Sequence, residues 1–297
     1  MASLLSRLAP LVITLRGSKR MFSSAERTLK RVAQLEKKPV SFAPPASLSR
    51  SVSVSLREVD GWPVYDIAPL TGAPVRHVVY LHGGCYVFEI DPVHWTLIRN
   101  LVLEAGVHVV VPIMPLAPTG TASVIVPRVA DLLASLVAEH GADNVSIIGD
   151  SSGGGMALAT AMTLRDREVP PLHATVLISP WLDISGTDSR LAELAPRDPW
   201  LAVPGTHAAG GLYRAELGEG DWRVSPIHGD VTGLGPITMF SGTRDILNAD
   251  AHRFIPLAAS AGVSLDFHEG PGMIHNYPIL PMPEGDTARA VIVAAVR

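Results

Sequence analysis

The sequence predicts an α/β fold: a mostly parallel, eight-stranded sheet flanked by helices, with a helical cap. Three observations predict it. Short, nearly continuous apolar runs recur at 77–81, 107–111, 145–148, 175–178 and 237–240, as expected of strands buried on both faces. Helical stretches at 92–104, 127–140 and 154–167 alternate with them, which implies parallel strands joined by crossovers. A chain of 297 residues that is 47% hydrophobic is ample for one large core.

The elements follow in order. Residues 1–38 read as helical, and Pro44 and Pro45 end that segment. Ser51 to Val59 alternates polar and apolar, a half-buried strand, and Val64 to Ile67 is its hairpin partner across Asp60-Gly61. The buried strands and their helices come next. Val263 to Phe267 is a last strand and Asp286 to Val296 a last helix. One stretch breaks the rhythm: Trp181 to Gly235 has no clean βα unit and is rich in Gly, Pro and charge. A gap this long in a compact domain carries helices of its own, so it reads as a lid or cap inserted after a core strand, with Asp198-Pro199-Trp200 and Ser225-Pro226 as turn signals. There are no internal repeats or low-complexity tracts.

Charge is unevenly spread. Residues 1–40 carry nine Lys and Arg against Glu26 and Glu36, net +7; the whole chain carries −4, leaving −11 for the remainder. The basic segment is either an arm for an anionic membrane surface or acidic partner, or the solvated face of ordinary helices, which is the favoured reading. The apolar run from Leu8 to Leu15 is too short to span a bilayer, and Arg16, Lys19 and Arg20 follow it in place of a small-residue cleavage site. The overall balance gives no sign of a nucleic-acid partner. The single cysteine, Cys85, rules out an intrachain disulfide and fits a reducing, cytoplasmic compartment. Monomer and dimer both stay open.

The chemistry-bearing motif is Gly149-Asp150-Ser151-Ser152-Gly153. It follows a strand and opens an alanine-rich helix from Met156 to Leu164, the setting of a nucleophile elbow. A Cβ at Gly149 or Gly153 would clash where the flanking backbones approach. The turn holds Ser151 at a helix N-terminus, where the dipole and free N–H groups favour developing negative charge. A phosphate-binding loop is the competing reading, but the Gly-x-x-x-x-Gly-Lys-Ser spacing is absent. His82-Gly83-Gly84-Cys85-Tyr86 follows the strand at 77–81, and the N–H groups of Gly83, Gly84 and Ser152 are candidates for an oxyanion hole. With this elbow the chain order runs Ser, acid, His. Asp245 lies in the loop after 237–240, whereas Asp250 falls on the next helix and reads as a surface residue. His275 lies in a Gly/Pro-shaped loop that can reach back over the elbow; His268, at the strand end, reads as structural. No histidine cluster has zinc-ligand spacing. Neither metal nor organic cofactor is expected.

Together these segments resemble the hormone-sensitive-lipase-like branch of the α/β-hydrolases. His82-Gly83-Gly84 resembles the family's His-Gly-Gly-Gly motif, and Gly149-Asp150-Ser151-Ser152-Gly153-Gly154 its Gly-Asp-Ser-Ala-Gly-Gly elbow. Ser179-Pro180-Trp181-x-Asp183, Gly242-x-x-Asp245-x-Leu247 and His275-Asn276-Tyr277 resemble three further segments in the family's order. The resemblance covers about residues 60 to 297. It implies an α/β-hydrolase fold, with an N-terminal helical region at 1–48 contributing to the cap and a catalytic domain at 49–297 whose cap insertion lies at about 184–224. It also implies a carboxylesterase with a Ser151, Asp245, His275 triad, acting on a small-molecule ester with short- to medium-chain acyl groups. An amidase or formamidase on the same triad is an alternative, and so is a lipase on long-chain lipid. A small-ligand receptor, as in plant gibberellin receptors that have lost the histidine, is another; here all three triad residues are present. The sequence departs from the pattern at Cys85, which replaces the fourth motif glycine and with Tyr86 is a candidate pocket residue. It departs again at Met114 to Thr119, where the usual carboxylate is missing.

Overall fold

The computed structural model describes residues 3–297. Residues 1 and 2, part of the helical reading of 1–38, lie outside the described residues, as does the side chain of Arg16 from the basic segment. Three helices open the chain: α1 (Leu4–Arg16), α2 (Ser18–Phe22) and α3 (Ala25–Lys37). Ser3 caps α1 by accepting from the Ser6 N–H, and Gly17, at φ 77°, ends it as only a residue tolerant of the left-handed region does readily. Ser24 caps α3 in the same way.

Eight strands form one sheet: β1 (Ser53–Val59), β2 (Trp62–Ala68), β3 (His77–Leu81), β4 (His108–Pro112), β5 (Val145–Asp150), β6 (Ala174–Ile178), β7 (Ile237–Gly242) and β8 (Leu265–Gly270). Their spatial order is β1-β2-β4-β3-β5-β6-β7-β8. The β1–β2 hairpin turns at Asp60-Gly61 and is antiparallel, as is β2 against β4; every other pairing is parallel. Helices α4 (Pro92–Asn100), α5 (Ala122–His140), α6 (Ser152–Asp166), α9 (Asn248–Ser260) and α10 (Pro283–Val296) flank it. Boundaries differ from the sequence reading at α5, which starts five residues earlier despite Pro127 in its interior, and at β8, displaced toward the C-terminus.

Strand alternation divides the core in two. Val79, Leu81, Val110, Ile147 and Leu177 face one side with α5, α6 and α9. Val78, Tyr80, Val109, Val111, Ile148 and Val176 face the other, with α4 and α10. Each fully buried aliphatic side chain contributes about 1.5–3 kcal/mol by leaving water, which is why the central strands tolerate no polar face. Between β6 and β7 lie α7 (Leu191–Arg197) and α8 (Val203–Arg214). Helix α8 packs against α2 and α3. A Cβ at Gly205 would run into the Phe22 carbonyl and Thr28, so this glycine sets how closely the helices approach.

Candidate active site

The site is assembled at the C-terminal ends of the parallel strands. Ser151 stands between β5 and α6 at φ 54°, ψ −120°, a conformation that L-residues rarely hold and that persists only where the surroundings fix it. Its N–H donates to the Ile178 carbonyl at 2.8 Å, and its carbonyl accepts from Trp181 N–H at 2.9 Å. Side chains are excluded at the neighbouring glycines: a Cβ at Gly149 would meet the Gly153 carbonyl, and one at Gly153 the carbonyls of Leu81 and His82.

His275 and Asp245 lie in the loops after β8 and β7. His275 Nδ1–H donates to Asp245 Oδ2 at 2.8 Å, and both residues are buried. Asp245 Oδ1 accepts from the Leu247 N–H at 2.9 Å. Burial works against a charged imidazole at His275, but Asp245 beside it, with Asp198 and Asp150 further out, raises its pKa above the ordinary value. Ser151 and His275 open on one cavity of about 470 Å³, together with Gly84, Cys85, Trp200 and Leu201. His268 lies elsewhere, on β8, paired with Asp266 at 2.7 Å. Asp250 is not a surface residue: it is buried on α9 and accepts the N–H groups of Leu182 and Asp183. Burial, with Asp183 nearby, pushes its carboxyl up to about 8.

The loop after β3 differs from expectation at one donor. The Gly83 N–H donates to Asp150 Oδ1 at 3.0 Å, so it is not free to meet an oxyanion in this structure. The N–H groups of Gly84, Cys85 and Ser152 have no hydrogen-bond acceptor among the described residues, and Gly84 and Cys85 line the cavity. Gly84, Cys85 and Tyr86 take φ values of 121°, 54° and 66°, which turn this run of backbone toward the elbow. His82 Nδ1–H donates to the Gly83 carbonyl at 2.7 Å, and burial draws its pKa down to about 4, so the ring is neutral. The Cys85 thiol is buried and pushed up to about 12. Tyr86 does not line this cavity. Its ring stacks on Tyr213 of α8, centroids 3.7 Å apart. Its N–H donates to Ser152 Oγ at 3.2 Å.

Asp150 is the buckle of the site. Fully buried, it accepts from Tyr80 Oη at 2.6 Å, Gly83 N–H at 3.0 Å, Asn276 Nδ2 at 2.7 Å and His94 Nε2 at 3.3 Å. Burial opposes its charge, yet His94, Tyr80 and Gly83 outweigh that and hold its pKa at about 2. The His94 ring is oriented by its own helix start: Asp91 caps α4, and its backbone nitrogen lies 3.0 Å from His94 Nδ1.

Three participants were not marked in the sequence. Asp198, read there only as a turn signal, is a second buried carboxylate near Asp245; its oxygens accept from the N–H groups of Trp200, Leu201 and Ile246. Burial and the Asp245 charge push it up to about 6. Trp200 lies edge-on to His275, centroids 5.6 Å apart. Glu89 lines both this cavity and an adjoining one of about 510 Å³ walled by Val32, Leu35, Val40 and Leu116. Its Oε2 is buried without a partner among the described residues, and burial raises its pKa.

The arrangement can activate a hydroxyl and stabilise an oxyanion beside it. A family model described as alpha/beta hydrolase fold matches residues 78–279. The chain is 32% identical over 231 residues to a triacylglycerol lipase of Mycobacterium tuberculosis, covering 77% of this chain and 48% of that protein, and so spans about half of that relative's length. It is 32% identical over 230 residues to an acetyl-hydrolase of Streptomyces hygroscopicus, covering 75% of each. Among solved structures, the hormone-sensitive-lipase homologue EstE7 from a metagenome library superposes with a TM-score of 0.82 over 100% of both chains at 22% identity, a likeness of fold.

Proposed function

The chain belongs to the α/β-hydrolase family, and from that premise we propose that it is a serine hydrolase of carboxylic esters, with Ser151 as nucleophile, His275 as general base and Asp245 as the carboxylate that orients it. One observation above all supports this. His275, paired with the buried Asp245 at 2.8 Å, opens on the same cavity as a serine held at positive φ at the head of a helix. The Nδ1 bond to Asp245 leaves Nε2 as the proton acceptor. His275 takes the Ser151 proton as Oγ attacks the acyl carbon. The oxyanion that forms faces the N–H groups of Gly84, Cys85 and Ser152, each such donor lowering the barrier by about 3 kcal/mol. His275 then protonates the leaving alcohol, and water, deprotonated by His275 in turn, frees the acid from the acyl-serine.

One relative, named for triacylglycerol, favours an ester over an amide. The cavity at Ser151, about 470 Å³ and adjoining a second, apolar one, has room for short to medium acyl chains. The helices of 1–48 and the 184–224 segment form the cap over it. The test is Ser151→Ala assayed on p-nitrophenyl butyrate. A loss of about 10⁴-fold or more in kcat, with fluorophosphonate labelling abolished, is expected; full esterase activity in the variant refutes the scheme.

A further inference from the structure

The first helix is inside out. Its exposed apolar residues, Leu4, Leu5, Leu8, Leu11, Val12 and Leu15, are between 45% and 78% accessible, while Ser6 and Ile13 are buried; Arg7 and Thr14 are exposed beside them. At about 100° per residue the six fall within an arc of roughly 120°. Scattered exposed leucines are ordinary on a protein surface, but a whole helix face of them marks an interaction site.

The helix is nevertheless firmly seated. Glu284, at the start of α10, accepts from the Ser3 N–H at 2.6 Å, Ser3 Oγ at 2.8 Å and Ser6 Oγ at 3.1 Å. The outward apolar face is therefore a fixed feature of the fold. Ile13 on the inner side of α1, with Gly17 and the α2 residues Ser18, Met21 and Phe22 that follow, helps wall the cavity that holds Ser151.

We propose that the outer face of α1 docks the protein on an anionic lipid surface, with the cavity mouth at the interface. The charge of the segment selects this occupant. Residues 1–40 carry +7 against −11 for the rest. Arg7, Arg20, Arg27, Lys30, Arg31, Lys37 and Lys38 are exposed and pair with no carboxylate among the described residues. An apolar helix face lies in the plane of a bilayer with its leucines among the acyl chains, and the cations of the same segment, Arg7 on α1 and the others along α2 and α3, would meet lipid phosphates. No helix among the described residues is long and apolar enough to cross a membrane, so the contact is peripheral. Docking there places the site where apolar esters concentrate, but the binding does not depend on the proposed chemistry.

The experiment is co-sedimentation of the full chain with vesicles of phosphatidylcholine alone or mixed with phosphatidylglycerol, across a salt series. The chain is expected to bind the mixed vesicles, more weakly as salt rises, and to bind the neutral ones poorly. The Leu8→Ser/Leu11→Ser/Leu15→Ser variant should lose about tenfold or more in partitioning while hydrolysing soluble p-nitrophenyl acetate as the parent does. A second variant, Arg27→Gln/Lys30→Gln, should lose the preference for anionic lipid with the leucines intact. Failure of the parent to bind either vesicle, or equal binding by the leucine variant, overturns the proposal. So does a concentration-dependent dimer that the leucine variant abolishes without any vesicle binding, which would assign the face to a second copy of the chain. A parent that binds vesicles but hydrolyses no ester would refute the proposed activity and leave the docking standing.

Discussion

Replacing Asp150 by asparagine removes one charge from the centre of the site and changes little in volume. Its effect can be worked from the four donors that meet the carboxylate. An asparagine retains Oδ1 for Tyr80 and Gly83. Asn276 can turn its amide to suit, because its own Oδ1 has no partner among the described residues. His94 fares worst: against burial, Asp150 and Asp91 raise its pKa to about 10, and its charged Nε2–H would face an NH₂ group. One buried donor is left unpaired, at about 1–3 kcal/mol. The charge itself is linked to folding. The native pKa of about 2 lies roughly two units below an unfolded aspartate, equivalent to about 2.5 kcal/mol. The combined expectation for Asp150→Asn is a loss of roughly 3.5–5.5 kcal/mol in urea unfolding followed by tryptophan fluorescence. The pKa is depressed, so the stabilisation is fully present above the unfolded value and fades as pH falls through the native one. The gap between parent and variant should therefore be constant at neutral pH and shrink from about pH 4 toward pH 2. A variant within about 0.5 kcal/mol of the parent, or a gap that ignores pH in that window, refutes the account of Asp150 as an ionised buckle.

Three further outcomes are expected. Asp198→Asn removes a negative charge that helps raise the His275 pKa, so the acidic limb of the kcat/KM–pH profile should move to lower pH; an unmoved or raised limb counts against the coupling. The Cys85 thiol, pushed up to about 12, should react with iodoacetamide about 10³-fold more slowly in the native protein than in guanidinium, with esterase activity retained while it resists. Gly205→Ala forces α8 away from Phe22 and Thr28, at roughly 1–3 kcal/mol, so trypsin should cleave after Arg27 and Lys30 several-fold faster than in the parent.

The sequence by itself determined what is local. Apolar runs mark β3 to β7 because a strand covered on both faces must be apolar along its length. The glycines at 149 and 153 are dictated by the close backbone approach within a single turn, so the elbow was legible as a pattern. Chain order was enough to direct attention to the loops carrying Asp245 and His275. Only the tertiary structure decided what depends on groups far apart in the chain. Asp150 claims the amide of Gly83 from 67 residues away and the side chain of Asn276 from 126 away, which moves the free donors to Gly84, Cys85 and Ser152. Asp198 matters because its Oδ2 reaches the Ile246 N–H 48 residues on, and Asp250 is buried because the backbone after β6 folds over it. A sequence pattern records which residues neighbour along the chain and which face an element buries. It does not record which buried donor a carboxylate finds first, nor that α1 turns its leucines outward, because both are set by packing partners that come together only in the folded chain.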